Sequence, residues 1–322
     1  MATEVIKTAE TANLEVFSAT LQELAAHDRD ILVVTSDSRG SGKLGPFGVK
    51  FPDQIIEVGI AEQNLVGVAA GLASMGKKAF AVSPACFLTA RSLEQIKNDV
   101  AYSDNPVKLI GISAGVSYGA LGTTHHSLHD YAVLRAINNI TIIAPADNFE
   151  TAEAIRQAAE TESPVYIRFG KKGMPDNLSR QISEFRIGKG RVVREGGDLT
   201  FVATGEAVLP CVKAADLLEQ TYNVRCKVIS MHTIKPLDEA LLFETAGNNQ
   251  PIITVEEHSV NGGLGEAVAS FLFQRGFRNS FKIVALPDDH TVSGSQTEIF
   301  EHYGISEKGL VQTALSLISH KR

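Results

Sequence analysis

Residues 78–112 read KAFAVSPACFLTARSLEQIKNDVAYSDNPVKLIGI. An apolar run (78–82) is followed by a helical stretch (88–102) with its charges on one side, then by a second apolar run (107–112). Parallel neighbours need a crossover of about a dozen or more residues, usually a helix, and this segment supplies one. Apolar runs without polar alternation imply strands covered on both faces, which is the condition of a parallel sheet inside an α/β layer structure.

The same rhythm extends in both directions. Upstream lie an amphipathic helix (13–27), strands over 31–34 and 54–58, and an Ala/Gly-rich helix (61–75). Downstream, a glycine-rich segment (115–124) precedes a helix over 127–137 and a strand over 140–143. A helix over 148–161 follows, with Asp147 as its N-cap, and then a strand over 165–169. Residues 171–198, rich in Gly, Lys and Arg, break the pattern and read as a linker with a leading strand. A smaller α/β unit follows, with strands at 199–203, 226–230, 252–256 and 282–285 and helices at 208–220, 264–275 and 308–319. The prediction is an α/β protein of two domains, each a mostly parallel sheet flanked by helices. Their bounds are 1–172 and 195–322, with a linker at 173–194.

Composition narrows the function. The chain has 322 residues, 44% hydrophobic and 21% charged, with a net charge of -7. That charge argues against a nucleic-acid partner, which selects for a basic face. No apolar run approaches the roughly 20 residues of a membrane-spanning helix, and residues 1–13 lack the basic start and apolar stretch of a secretory leader. Cys86, Cys211 and Cys226 form no CxxC pair and fit a reducing, cytoplasmic setting.

Several segments invite chemistry. Gly40-Ser41-Gly42-Lys43 imitates a phosphate loop, but Asp37 stands where its first glycine belongs and Leu44 replaces the hydroxyl residue. Asn261-Gly262-Gly263-Leu264-Gly265 lacks the third glycine of a dinucleotide fingerprint and reads as tight strand–helix packing. Thr124-His125-His126-Ser127-Leu128-His129-Asp130 is the densest polar cluster. It fits a zinc pair at His125 and His129, a Ser127 cap among ordinary histidines, or active-site histidines on a loop leaving a strand's C-terminal end. Glu62, in the first turn of a helix, is by default a carboxylate stabilised by the helix dipole. Phe87 and Arg91 are by default a core aromatic and a solvated charge.

A wider set of strings adds a resemblance. Ile56-Glu57-Val58-Gly59-Ile60-Ala61-Glu62-Gln63, Gly71-Leu72-Ala73, Leu93-Glu94-Gln95-Ile96, Gly122-Thr123-Thr124-His125, Pro145-Ala146-Asp147 and Tyr166-Ile167-Arg168 occur in the order and spacing of transketolases. These strings resemble the pyrimidine-binding domain. Val255-Glu256-Glu257-His258 and Gly262-Gly263-Leu264-Gly265-Glu266 extend the likeness to the C-terminal domain. The Gly-Asp-Gly motif that holds magnesium and diphosphate in the other half of such enzymes is missing. The nearest string is Gly196-Gly197-Asp198-Leu199. The chain therefore resembles the C-terminal subunit of a split transketolase.

That resemblance implies a thiamine diphosphate cofactor shared with a separate large, N-terminal-type subunit, which would bind the magnesium, in an assembly of two large and two small subunits. It implies transfer of a two-carbon glycolaldehyde unit from a ketose phosphate to an aldose phosphate. It gives Glu62 a hydrogen bond to the cofactor's aminopyrimidine and Phe87 a stacking role, with Pro84 or Ala90 in the neighbouring aromatic slot. Asp37 and Ser41 fall on a loop near the thiazolium and the substrate. His125 falls beside the substrate oxygens as a proton shuttle, and Arg168 on the acceptor's phosphate. Asn13, Ser113 and Leu121 stand where the family carries an arginine, a histidine and an aspartate for substrate. These departures point to an unusual substrate, such as the branched sugar phosphate of split apulose 4-phosphate transketolases. Three other readings are a deoxyxylulose phosphate synthase-like half, a 2-oxoacid dehydrogenase beta-like subunit and a non-catalytic paralogue.

Overall fold

The computed structural model describes residues 11–179 and 184–319; residues 1–10, part of the predicted linker (180–183) and residues 320–322 lie outside the described residues. Twelve strands are described: β1 Ile31–Thr35, β2 Ile55–Glu57, β3 Lys78–Pro84, β4 Lys108–Ile112, β5 Thr141–Ile143, β6 Val165–Arg168, β7 Arg191–Arg194, β8 Leu199–Ala203, β9 Cys226–Ser230, β10 Thr233–Lys235, β11 Ile252–Ser259 and β12 Phe281–Leu286. They form a seven-stranded sheet in the order β10-β5-β6-β4-β3-β1-β2 and a five-stranded sheet in the order β12-β11-β8-β9-β7. Neighbours run parallel except at β10 with β5 and at β7 with β9. The α/β class with two mostly parallel sheets is as the sequence predicts.

Both faces of the first sheet are covered. Phe17, Leu21, Phe47, Ile155 and Phe169 fill one side, and Leu65, Leu88, Val100, Tyr131 and Leu134 the other. Asp147 caps the helix Asn148–Glu160 as expected, its Oδ1 accepting the Glu150 N–H at 2.7 Å.

Three departures from the predicted elements have local causes. The predicted helix 88–102 divides into Ala85–Arg91, a turn Leu93–Gln95 and a π-helical Ile96–Tyr102. Near the break, the Ser92 hydroxyl bonds back to the Leu88 carbonyl, a competition that often bends helices. The predicted helix 127–137 is only Asp130–Arg135, because the Ser127 N–H is taken by the Gly115 carbonyl at 2.8 Å. His125 and His129 therefore share no helical face. The third departure is β10, a short strand from the C-terminal half that lies on the edge of the first sheet. Its Ile234 joins that sheet's core, while Val116 and Ala146, and Leu178 of the predicted linker, join the core under the second sheet. No helix of the described residues is long and apolar enough to cross a membrane.

Candidate active site

The C-terminal ends of β1, β2, β3, β4 and β6 open onto one rim of the first sheet, the edge where open parallel sheets bind ligands. Glu62 opens the helix Glu62–Ser74 and is 4% exposed. Its Oε1 accepts from Arg91 Nη1 at 2.9 Å. Arg91 ends the helix Ala85–Arg91, and its guanidinium lies 4.1 Å over the Phe87 ring centroid. Phe87 meets His125 edge-on at 5.4 Å, His125 meets Tyr118 at 5.3 Å, and Lys171 Nζ sits 4.4 Å over Tyr118. His125 Nδ1 is 3.0 Å from the Thr124 hydroxyl, whereas His129 turns away to Thr89 at 3.3 Å. Glu62, Phe87 and His125, expected from the sequence, thus form one neighbourhood. Arg91, Tyr118 and Lys171 were not expected there. The signal for Arg91 was its spacing of four from Phe87, which stacks two side chains on one helical face.

Asp37 and Ser41 lie on the exposed loop after β1. Asp37 adopts a left-handed backbone (φ 52°), and its N–H donates to Glu57 Oε1 at 2.7 Å. Gly59 donates to the same oxygen at 2.9 Å. Glu57 therefore ties the Asp37 loop to the turn that leads into Glu62. The Ser36 hydroxyl donates to Ser83 at 2.8 Å, and that of Ser38 to the Val82 carbonyl at 3.1 Å, so the base of the loop is anchored on β3.

The three positions expected to handle substrate anions are placed differently. Arg168, expected on a phosphate, is 5% exposed. Its Nη1 donates to both Asp130 oxygens at 2.8 and 3.1 Å, its Nη2 donates to the Glu257 carbonyl at 2.7 Å, and its plane lies 4.0 Å over Tyr131. Burial pushes the Asp130 carboxyl upward, but Arg168 and the Tyr166 hydroxyl outweigh it and hold Asp130 below the usual carboxylate range. The guanidinium is therefore held in a buried ion pair with Asp130. Ser113, in a left-handed conformation at the end of β4, and Asn13, at the start of helix Asn13–Ala25, are each 0% exposed. The Asn13 amide has no hydrogen-bond partner among the described residues, and Ser113 faces the Tyr118 hydroxyl. Leu121, in contrast, is 56% exposed on the glycine-rich loop.

Behind that loop the two halves of the chain meet through a carboxylate pair. Gln296 Nε2 donates to Glu206 Oε2 and to Glu257 Oε1, both at 2.8 Å, and the Val116 N–H also donates to Glu257 Oε1 at 2.8 Å. Gly115 is required here, since an added Cβ would come within 2.2 Å of the Glu257 carboxyl carbon. Burial first, and the Glu206 charge second, push Glu257 up to about 8; burial raises Glu206 too. The folded chain keeps a proton that an unfolded one would release near the ordinary value of 4.5. The pair's contribution to stability therefore falls as pH rises through that window. Glu257→Gln should flatten the decline in denaturation midpoint between about pH 5 and pH 8. An unchanged slope in the variant would remove Glu257 as its source.

Comparison with known proteins bears on the family of the chain. Residues 9–176 match the transketolase pyrimidine binding domain, and residues 188–310 the transketolase C-terminal domain. The chain is 45% identical to a subunit of the apulose-4-phosphate transketolase of Phocaeicola vulgatus, over 94% of this chain and 96% of that one. It is 35% identical to a 1-deoxy-D-xylulose-5-phosphate synthase of Heliobacterium modesticaldum over 96% of this chain, but spans only 47% of that longer protein. A solved structure described as a split gene transketolase, inactive beta4 tetramer, superposes with a TM-score of 0.86 at 35% identity, covering 97% of this chain and 99% of that one. Two matched domains, a shared fold and relatives of the same length lead to one conclusion: the chain belongs to the transketolase family.

Proposed function

We propose that this chain is the pyrimidine-binding subunit of a split, thiamine diphosphate-dependent transketolase that moves a glycolaldehyde unit from a ketose phosphate to an aldose phosphate. The observation that carries the reading is the meeting of Glu62, Phe87 and His125, which leave three different strands and converge on one rim. They fit the aminopyrimidine half of the cofactor. A buried carboxylate there already accepts from a planar N–H donor that lies over the Phe87 ring, and an aminopyrimidine offers the same shape and donor. When bound, the cofactor supplies the electron sink needed to break and form a bond beside a carbonyl.

In this reading Glu62 holds the pyrimidine edge and Phe87 its face. His125, supported by Thr124 and backed by Tyr118, holds or moves a proton at the substrate oxygens. Asp37 and Ser41 line the approach. Arg168 acts inside the protein, positioning Asp130 and the backbone at Glu257. The Gly-Asp-Gly motif does not occur in this sequence, and in this reading a separate large subunit supplies the diphosphate and magnesium ligands.

The helix Glu62–Ser74 supports such a partner. Around Gly67 and Gly71 an added Cβ would meet nothing within 4 Å, and Ile60 and Met75 beside this helix are 73% and 80% exposed. Small residues on an open helical face allow close backbone approach from another chain. The naming of the Phocaeicola relative as one subunit of its enzyme and the inactive tetramer described for the solved one favour the same dependence. We place two copies of each subunit in a two-fold assembly, since closed symmetry is the rule for such oligomers. The three cysteines are buried and unpaired, which suits a cytoplasmic location.

Calorimetric titration tests the reading. Thiamine diphosphate with magnesium is expected to bind the mixture of this chain with its large subunit and not this chain alone. Tight binding to the isolated chain would overturn the division of the site.

A further inference from the structure

Arg91 makes both of the contacts that the proposed function gives to the cofactor's pyrimidine. Its Nη1 donates to Glu62 Oε1 at 2.9 Å, and its planar guanidinium lies 4.1 Å over Phe87. A guanidinium and an aminopyrimidine are alike in the relevant respects: flat, able to stack on an aromatic face and carrying N–H donors in the plane. The Phe87 face that the guanidinium covers cannot carry a pyrimidine at the same time.

The surroundings show which partner is the movable one. The Arg91 side chain is 49% exposed, whereas that of Glu62 is 4% exposed. Glu62 is built into a helix start, while Arg91 closes over it from the solvent side. Arg91 is also the last residue of its helix, which ends before Ser92 and the turn Leu93–Gln95. Its side chain can leave without unwinding a regular element, and no second carboxylate among the described residues pairs with it.

We propose that Arg91 is a built-in surrogate ligand: its guanidinium fills the pyrimidine position of the cofactor-free chain and is displaced when the cofactor binds. The proposal rests on the cofactor reading above and adds a competition to it. The surrogate neutralises the buried carboxylate of Glu62 and keeps the Phe87 face covered while no cofactor is bound. The same contacts lower the affinity for cofactor by their own strength. A half-exposed ion pair and a cation–π contact together correspond to about a tenfold effect on binding.

The test is calorimetric titration of thiamine diphosphate and magnesium into the complex of this chain with its diphosphate-binding subunit. Arg91→Ala is expected to bind the cofactor about tenfold more tightly than the wild type, and Arg91→Lys, which keeps the charge but not the plane, less tightly than Arg91→Ala. A second readout needs no cofactor. In the free chain, Arg91→Ala and Glu62→Ala should be non-additive in denaturation midpoint; strict additivity would overturn the pairing. Weaker or unchanged binding by Arg91→Ala, with normal binding by the wild type, would overturn the surrogate and leave the cofactor reading standing. No binding by the wild-type complex would overturn both.

Discussion

Glu62→Gln is expected to lower turnover of the reconstituted complex by about 100- to 10,000-fold, the range that separates a positioned proton-transfer group from its neutral isostere. The substitution leaves little else to change. Glu62 is buried at the start of its helix, and the one side-chain bond described for it comes from the half-exposed Arg91. Glutamine keeps the shape and an acceptor oxygen for that guanidinium. The denaturation midpoint of the free chain should therefore stay close to that of the wild type while activity collapses. Steady-state turnover and circular dichroism of the same preparation separate the two effects. Turnover within a few fold of the wild type would sink the role assigned to Glu62 and revive the non-catalytic reading.

Arg168→Met should do the opposite and harm stability first. It removes one partner of an ion pair whose side chains are 4% and 0% exposed, leaving the buried Asp130 carboxylate with the Tyr166 hydroxyl, the Tyr131 N–H and the His258 ring 3.7 Å away. Breaking a buried pair on one side costs about 3–5 kcal/mol. Against a usual total of about 5–15 kcal/mol that is a large fraction, and the thermal midpoint should fall by roughly 6–20 °C. Adding Asp130→Asn, which removes the orphaned charge, should recover part of the loss. If Arg168→Met instead kept its midpoint and only raised KM for a phosphorylated substrate, the guanidinium would belong to the substrate after all.

These two residues also show what the sequence could and could not convey. The unbroken apolar runs that became β1, β3, β4 and β6 declared a parallel sheet, because only strands covered on both sides carry them. Asp147 declared a helix start by the chemistry of its side chain. The convergence of Glu62, Phe87 and His125 was readable only through a family resemblance, since each has an ordinary explanation when taken alone. The ion pair of Arg168 was not legible for a physical reason: an arginine at a strand end looks the same whether it faces a ligand or a buried carboxylate. Asp130, which decides the matter, lies in a distant segment. Arg91 was taken for a solvated charge because its partner is on another helix. Ser113 and Asn13 were sited by analogy, and burial is a property of the packed chain that no local pattern reports.

The strand β10 has a consequence for how this protein can be taken apart. An uncovered strand edge is a template for pairing with other chains, and β10 is what closes the β5 edge of the first sheet. The closing piece is borrowed from residues that follow the second domain's own β9. A first half released at the linker would lose its edge guard, and a second half would lose the surface on which β10 rests. The two units are thus poor currency for domain shuffling: recombination that kept one and exchanged the other would leave a raw seam along β5. Pyrimidine-binding and C-terminal units joined in this way are expected to travel as a single block.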